Sequence, residues 1–274
     1  MERCFSHRVD GTTPCDNMIK EAGEIPTDVG MMMWHGPPKC GKSSLAFQYA
    51  FDIVRAATPP DASSSDATLP YVVLVCHESM KNAPERFVPI DPCESCQTPV
   101  KSGRDVLHWE RVRIKYLQNA SQLCNFACSL HVLGGKSIAL IVDDFDLFWE
   151  DAHLESDLYR CLAYLKETSD FMRRANGMGQ VVVLSTSAAY SKTERHRLRR
   201  WFALLLELLP HAQNDPHTYA MQEELPPPPF SSASSSLREW AAYLPFFPVP
   251  YHILYHFEPN TQDQDGHFRF LLAA

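Results

Sequence analysis

The chain has 274 residues, of which 45% are hydrophobic and 21% are charged, enough for one large α/β domain with or without a small appendage. Its formal net charge of −8 excludes a uniformly basic protein, so any contact with nucleic acid must come from a local basic patch. Nine scattered cysteines are typical of reduced thiols and argue against a disulfide framework.

Residues 1–30 are polar and turn-rich, and they are predicted to form a flexible amino-terminal arm. This segment contains no apolar run of signal-peptide length. No apolar stretch elsewhere approaches the roughly 20 residues that a membrane helix needs. We therefore expect a protein without membrane contact, in the cytosol or the nucleus.

Strands and helices are predicted to alternate over a core that spans residues 31–210. The strands carry β-branched runs without polar alternation, as expected for a parallel sheet covered on both faces. Predicted strands are 31–35, 71–76, 111–117, 137–142 and 180–185, and predicted helices are 41–57, 120–133 and 154–175.

The first predicted strand runs into a pattern that is typical of a phosphate-binding loop. Gly36-x4-Gly41-Lys42-Ser43 matches this pattern at every fixed position. Glycines let backbone N–H groups turn toward a β-phosphate, the lysine supplies positive charge, and the serine hydroxyl completes the shell of a Mg²⁺ ion. We predict binding of ATP with Mg²⁺ through Gly36, Pro37, Pro38, Lys39, Cys40, Gly41, Lys42, Ser43 and Ser44.

Acidic and hydroxyl side chains follow three later strands. Asp143 is placed to hold Mg²⁺ partly through water, and the alternative is an aspartate that only caps a turn. Glu78 is a candidate to polarise an attacking water, and a solvated loop glutamate is nearly as plausible. Thr186 and Ser187 are expected to cap the fifth strand, with sensing of a γ-phosphate as the less favoured alternative.

A basic segment follows the fifth strand, with Trp201 and Tyr190 available for base stacking. Clustered cations of this kind can follow a nucleic-acid backbone. A solvated helix face in an acidic protein is an equally good interpretation. The candidate DNA contacts are Lys192, Arg195, Arg197, Arg199 and Arg200.

Cys93 and Cys96 have the spacing of metal ligands, but a structural zinc needs four ligands and a second such pair is missing. A plain reduced loop is the favoured interpretation there. Residues 211–236 are rich in proline and serine and are predicted to be a linker or loop. Residues 237–274 are predicted to form an extension with a β-hairpin, whose strands are 251–257 and 267–272.

The order of these elements resembles the core of RecA-type recombinases over residues 30–210. The segment HESMKNAPERF resembles the stretch that carries the catalytic glutamate of eukaryotic recombinases, and Glu78 falls on that position. The stretches WERVRIKYLQNASQLCNFACSLH and IALIVDDFDLFWED are similar to a narrower family. That family is the small ATPase-like recombinase paralogue that partners a SWIM-type zinc-finger protein in the Shu complex.

This resemblance implies a RecA-like P-loop NTPase core and a nuclear role in homologous recombination repair. It further implies single-stranded DNA binding, weak DNA-stimulated ATPase activity, and a hetero-oligomer with a SWIM-type zinc-finger protein and recombinase or its paralogues. Two other functions use the same loop: a small-molecule kinase, and a non-catalytic scaffold that keeps only the fold.

Overall fold

A computed structural model describes residues 29–60, 69–82, 104–132, 136–149, 155–212, 215–225, 252–259 and 268–272. Its described strands are β1 (Met31–Gly36), β2 (Tyr71–His77), β3 (Val112–Leu117), β4 (Ser137–Val142), β5 (Gln180–Thr186), β6 (Leu204–Ala212), β7 (Asp215–Glu223), β8 (His252–Pro259) and β9 (Phe268–Leu272). The described α-helices are α1 (Lys42–Ala57), α2 (Val106–Trp109), α3 (Ala120–Ser129), α4 (Glu155–Asn176) and α5 (Lys192–Leu198). Short 3₁₀ turns follow β2, α3 and β4 at Glu78–Asn82, Leu130–Val132 and Phe145–Trp149.

All nine described strands form one sheet in the order β3-β2-β4-β5-β1-β6-β7-β8-β9. The strands from β3 to β6 in this order pair in parallel, and β7, β8 and β9 continue the sheet in antiparallel pairs. The carboxyl ends of β1, β2, β4 and β5 therefore meet at one edge of the sheet, which we call the carboxyl edge. The predicted hairpin is present as β8 and β9.

Alternate residues of each central strand face opposite sides of the sheet, because side chains alternate along a strand. Met32 and Trp34 pack with Leu45 of α1 on one face. Met31 and Met33 lie in the core of the other face, which α3 and α4 cover with side chains such as Leu162. The parallel strands are buried on both sides, as their apolar sequences predict. The chain thus has the expected α/β fold, a mostly parallel sheet with a buried core on each face.

Three parts of the chain differ from the sequence predictions. The segment 211–236 was expected to be a linker or loop, but β7 occupies its first part and pairs with both β6 and β8. The apolar run after residue 201 is strand β6, which pairs in parallel with β1. The predicted helix over 120–133 ends earlier, at Ser129, and continues as a 3₁₀ turn. Residues 1–28 of the predicted amino-terminal arm, Cys93, Cys96 and residues 226–251 lie outside the described residues.

In the described part of the chain, no helix is long and apolar enough to span a membrane. Nowhere in that part of the chain do three or more His, Cys, Asp or Glu side chains come together in a group that could hold a metal ion.

Candidate nucleotide-binding site

The predicted phosphate-binding loop lies between β1 and α1, at the carboxyl edge. Gly41 precedes the first residue of α1 with φ 82°, a left-handed conformation that glycine adopts without steric cost. No side chain caps this end of the helix. Because the first amides of a helix have no partner within it, this end is suited to an anion.

Gly36 is required for packing as well as for the loop. A Cβ atom at this position would lie 2.7 Å from Cβ of Leu208 on β6, a distance that no side chain tolerates. The Gly36 carbonyl accepts hydrogen bonds from the backbone N–H of Ser187 and from the ammonium of Lys42, both at 3.0 Å. The end of β1 is therefore fixed by β6 on one side and by the segment after β5 on the other.

The Lys42 ammonium is held inside the loop rather than in solvent. Its side chain is only 7% exposed. Besides the Gly36 carbonyl, its Nζ donates to the carbonyl of Pro37 at 2.7 Å and lies 3.7 Å from Sγ of Cys40. A charge kept among neutral carbonyls can exchange them for phosphate oxygens, which are stronger acceptors.

Ser43 and Asp143 meet at the carboxyl edge, although a hundred residues separate them in the sequence. The Ser43 hydroxyl lies beside the Asp143 carboxylate, close enough for a hydrogen bond that lowers the pKa of that carboxyl. Asp143 is 1% exposed, and its backbone N–H donates to the Val75 carbonyl of β2 at 2.8 Å. The predicted metal-side carboxylate and the loop hydroxyl therefore lie side by side.

Asp143 has room for one more ligand. Its Oδ1 accepts from the backbone N–H of Asp144 at 3.0 Å, but Oδ2 is buried without a hydrogen-bond partner. A buried, unsatisfied carboxylate oxygen is costly, and a magnesium-bound water would satisfy it. The residues present fit Mg²⁺, held by the Ser43 hydroxyl and, through water, by Asp143.

Burial and the neighbouring charge of Asp144 raise the pKa of Asp143 to about 7 from an ordinary 3.8, while the Ser43 hydrogen bond opposes this shift. The unfolded chain loses this proton near pH 4, whereas the folded chain keeps it to about pH 7. Folding therefore takes up a proton in that interval, and the free energy of unfolding of the chain without ligands should fall as pH rises from about 4 to 7.

Asp143→Asn keeps the shape of the protonated side chain but cannot ionise. Urea denaturation at several pH values should show a smaller decline in stability for this variant than for the wild-type chain. Identical pH dependence in the two proteins would contradict the raised pKa of Asp143.

Glu78 begins the 3₁₀ turn after β2 and is half-buried. Since β2 and β4 are neighbours, Glu78 lies at the same carboxyl edge as Asp143. Its role in activating water stays a prediction.

Thr186 is engaged by a residue that the sequence analysis missed. Asp146, in the 3₁₀ turn after β4, accepts from the Thr186 hydroxyl at 3.0 Å and from its backbone N–H at 3.2 Å. Thr186 therefore has the favoured role of closing the end of β5. Unlike the Thr186 hydroxyl, the Ser187 hydroxyl oxygen is buried without a hydrogen-bond partner.

The predicted DNA contacts do not share one surface. Arg195 is 9% exposed, and its Nε donates to the carboxylate of Glu224 at 2.9 Å. The same Glu224 oxygen lies 2.7 Å from Nε2 of His35, which is fully buried in β1. Burial opposes ionisation of Glu224, but hydrogen bonds from His35 and Arg195 lower its pKa to about 2. Arg195 thus belongs to a buried ion-pair cluster, which corrects its assignment as a DNA contact.

The other four predicted contacts differ in exposure. Arg199 is half-buried, whereas Arg197 and Arg200 are exposed. The Arg200 guanidinium lies over the ring of Tyr159 at 4.5 Å and near that of Trp201 at 5.5 Å. Lys192 begins α5, and its side chain lies outside the described part of the structure. The exposed basic surface is therefore smaller than predicted and includes Arg197 and Arg200.

No protein-family model matches the sequence, and no curated protein matches it either. Among solved structures, the chain is similar to the RadB recombinase. The two share 13% sequence identity over 83% of this chain and 87% of that chain, with a TM-score of 0.49.

Proposed function

We propose that this chain is an ATP-binding, RecA-like subunit that assists homologous recombination repair. The proximity of Ser43 to Asp143, beside the loop that holds Lys42, is the observation on which this proposal rests. It brings together the three side-chain groups that a nucleotide triphosphate with Mg²⁺ requires: a cation, a hydroxyl and a carboxylate.

In this proposal the chain's own residues orient the substrate. Backbone amides at the start of α1 bind the β-phosphate, and Lys42 turns from its carbonyl partners to the β- and γ-phosphates. Bound Mg²⁺ supplies positive charge to the phosphate oxygens. Glu78 orients a water for attack on the γ-phosphate, and we expect slow turnover by the isolated chain because no arginine of its own is assigned to that phosphate.

The DNA-binding part of the proposal is supported by the exposed cations Arg197 and Arg200, the second of which lies 5.5 Å from the centre of the Trp201 ring. A guanidinium can neutralise phosphate, and an aromatic ring can stack with an unpaired base. We propose single-stranded DNA as the ligand of this surface. We further propose a nuclear hetero-oligomer with a SWIM-type zinc-finger protein and recombinase or its paralogues, as the family resemblance of the sequence implies.

ATP hydrolysis should be measured with and without single-stranded DNA. Stimulation by DNA supports the proposed function. Phosphorylation of an added small-molecule acceptor would favour a kinase instead, and failure to bind any nucleotide would favour a scaffold. A pull-down from nuclear extract, analysed for a SWIM-type zinc-finger subunit, tests the proposed partner.

Reversing the charges of Arg197 and Arg200 to glutamate should weaken single-stranded DNA binding and flatten its salt dependence. Each lost phosphate contact removes roughly 0.7 from the slope of log K against log salt. The matched control reverses Lys136 and Arg174, which are exposed cations at the opposite edge of the sheet. An unchanged slope for Arg197→Glu with Arg200→Glu would place the DNA surface elsewhere.

A further inference from the structure

The carboxyl-terminal hairpin reaches back to the phosphate-binding loop through one side chain. Tyr255 of β8 is fully buried, and its hydroxyl donates to the backbone carbonyl of Cys40 at 3.0 Å. Its ring stacks on Tyr219 of β7, with centroids 5.7 Å apart and an angle of 27° between the planes. Two antiparallel strands outside the parallel core thus position a hydroxyl under the loop.

The hydroxyl of Tyr255 is a reliable donor. Burial raises the pKa of this phenol well above its ordinary value, and nearby Cys40 and Tyr219 add to the shift. The group therefore keeps its proton at any physiological pH. The Cys40 side chain is itself buried, and burial raises the pKa of its thiol, so that it stays a neutral packing group beneath the loop.

The carbonyl that Tyr255 binds belongs to the peptide unit between Cys40 and Gly41. In a planar trans peptide, C=O and N–H point in opposite directions. A Cys40 carbonyl held toward the buried Tyr255 therefore directs the Gly41 N–H away from the core, toward the mouth of the loop. Gly41, which follows that peptide unit, is left-handed with φ 82°, and so is Lys39, the residue before Cys40, with φ 63°. Backbone N–H groups in such a turn form an anion-binding concavity.

We infer that Tyr255 is a positioning residue of the nucleotide site, which fixes the Gly41 amide as a donor to the phosphates of the nucleotide. The inference rests on the proposed function, because it names a further residue of the same site. It gives the carboxyl-terminal strands a role in ligand binding in addition to extending the sheet.

Tyr255→Phe removes the hydroxyl and keeps the ring. ATP and ADP should both bind about tenfold more weakly, since one hydrogen bond that orients the amide is lost. The ratio of the two affinities should stay the same, because the Gly41 amide faces the β-phosphate, which both ligands carry. Isothermal titration calorimetry below the melting temperature measures both affinities on folded protein.

Tyr49→Phe is the matched control. Tyr49 is also buried, and its hydroxyl donates a bond of the same length, 3.0 Å, to Gln180 at the amino end of β5. This bond lies away from the loop, so Tyr49→Phe should bind nucleotide as the wild-type chain does.

Equal losses of nucleotide affinity in Tyr255→Phe and Tyr49→Phe would show a general structural effect and overturn the inference. An unchanged affinity of Tyr255→Phe, with Lys42→Ala still defective, would overturn the inference alone. Failure of the wild-type chain to bind ATP would overturn the proposed function as well.

A second measurement needs no variant. The sequence contains a single Cys-Gly dipeptide, Cys40-Gly41, so carbonyl-¹³C-cysteine and ¹⁵N-glycine labelling isolates one amide resonance. This resonance should shift downfield when ADP is added, as a new hydrogen bond forms to the Gly41 N–H. A Gly41 resonance that does not respond to saturating ADP would contradict the inference, whether or not Tyr255→Phe folds.

Discussion

Lys42→Ala should weaken ATP binding by about ten- to a hundredfold and leave the protein folded. The lost group is a buried ammonium whose partners are carbonyls of the loop, and a hydrogen bond from a charged group is worth about 1.5–3 kcal/mol. The fold should tolerate the change, because the Gly36 carbonyl keeps its bond from Ser187. Calorimetric titration with ATP measures the affinity, and circular dichroism confirms the fold.

The control for Lys42→Ala is Lys39→Asn. Lys39 is an exposed lysine of the same loop, and asparagine tolerates its left-handed backbone. This variant keeps the backbone amide, through which residue 39 would contact phosphate, and removes only an exposed ammonium, so its affinity for ATP should stay within a few-fold of wild type. If Lys42→Ala bound ATP as tightly as the wild-type chain, the assignment of the site would be wrong.

Arg195→Ala should lower the free energy of unfolding by about 3–5 kcal/mol, because it leaves Glu224 charged and buried without its guanidinium partner. Arg195 also donates to the Tyr190 carbonyl at 2.6 Å, so the segment after β5 loses an anchor as well. Urea denaturation measures the change. Arg197→Ala, on the exposed side of the same helix, should change stability by less than about 0.5 kcal/mol.

These two variants also separate structural from DNA-binding roles in α5. Arg197→Ala should weaken DNA binding at little cost in stability, and Arg195→Ala should do the reverse. A stable Arg195→Ala protein that fails to bind DNA would restore Arg195 as a DNA contact and contradict the ion-pair cluster.

Much of the parallel core could be predicted from the sequence, because buried parallel strands consist of short runs of apolar residues. The strand Ser137–Val142 was predicted with its observed bounds, and helix α1 begins one residue after the predicted start. Strand β7 could not be predicted in this way. It is an antiparallel strand of mixed polarity in a segment whose later part is rich in proline and serine. Its stability depends on pairing with β6 and β8.

The residues of the phosphate-binding loop could be predicted because they lie close together in the sequence. The residues that hold the loop and its surroundings in place are distant in the sequence. In the sequence, Arg195 is one of several neighbouring basic residues. Only the structure shows that its partner is Glu224, which lies 29 positions away in the chain. Tyr255 lies 215 positions from Cys40, and no local pattern links the two. The role of Asp146 could not be predicted from the sequence either, since its hydrogen bond to Thr186 forms only when β4 and β5 lie side by side.

Titration of ATP into the wild-type chain, with and without Mg²⁺, most directly tests whether the loop, Ser43 and Asp143 form a nucleotide site. We expect one molecule of ATP per chain, tighter binding with Mg²⁺, and loss of that magnesium effect in Asp143→Asn. No binding at millimolar ATP, or a magnesium effect of the same size in Asp143→Asn, would contradict the account.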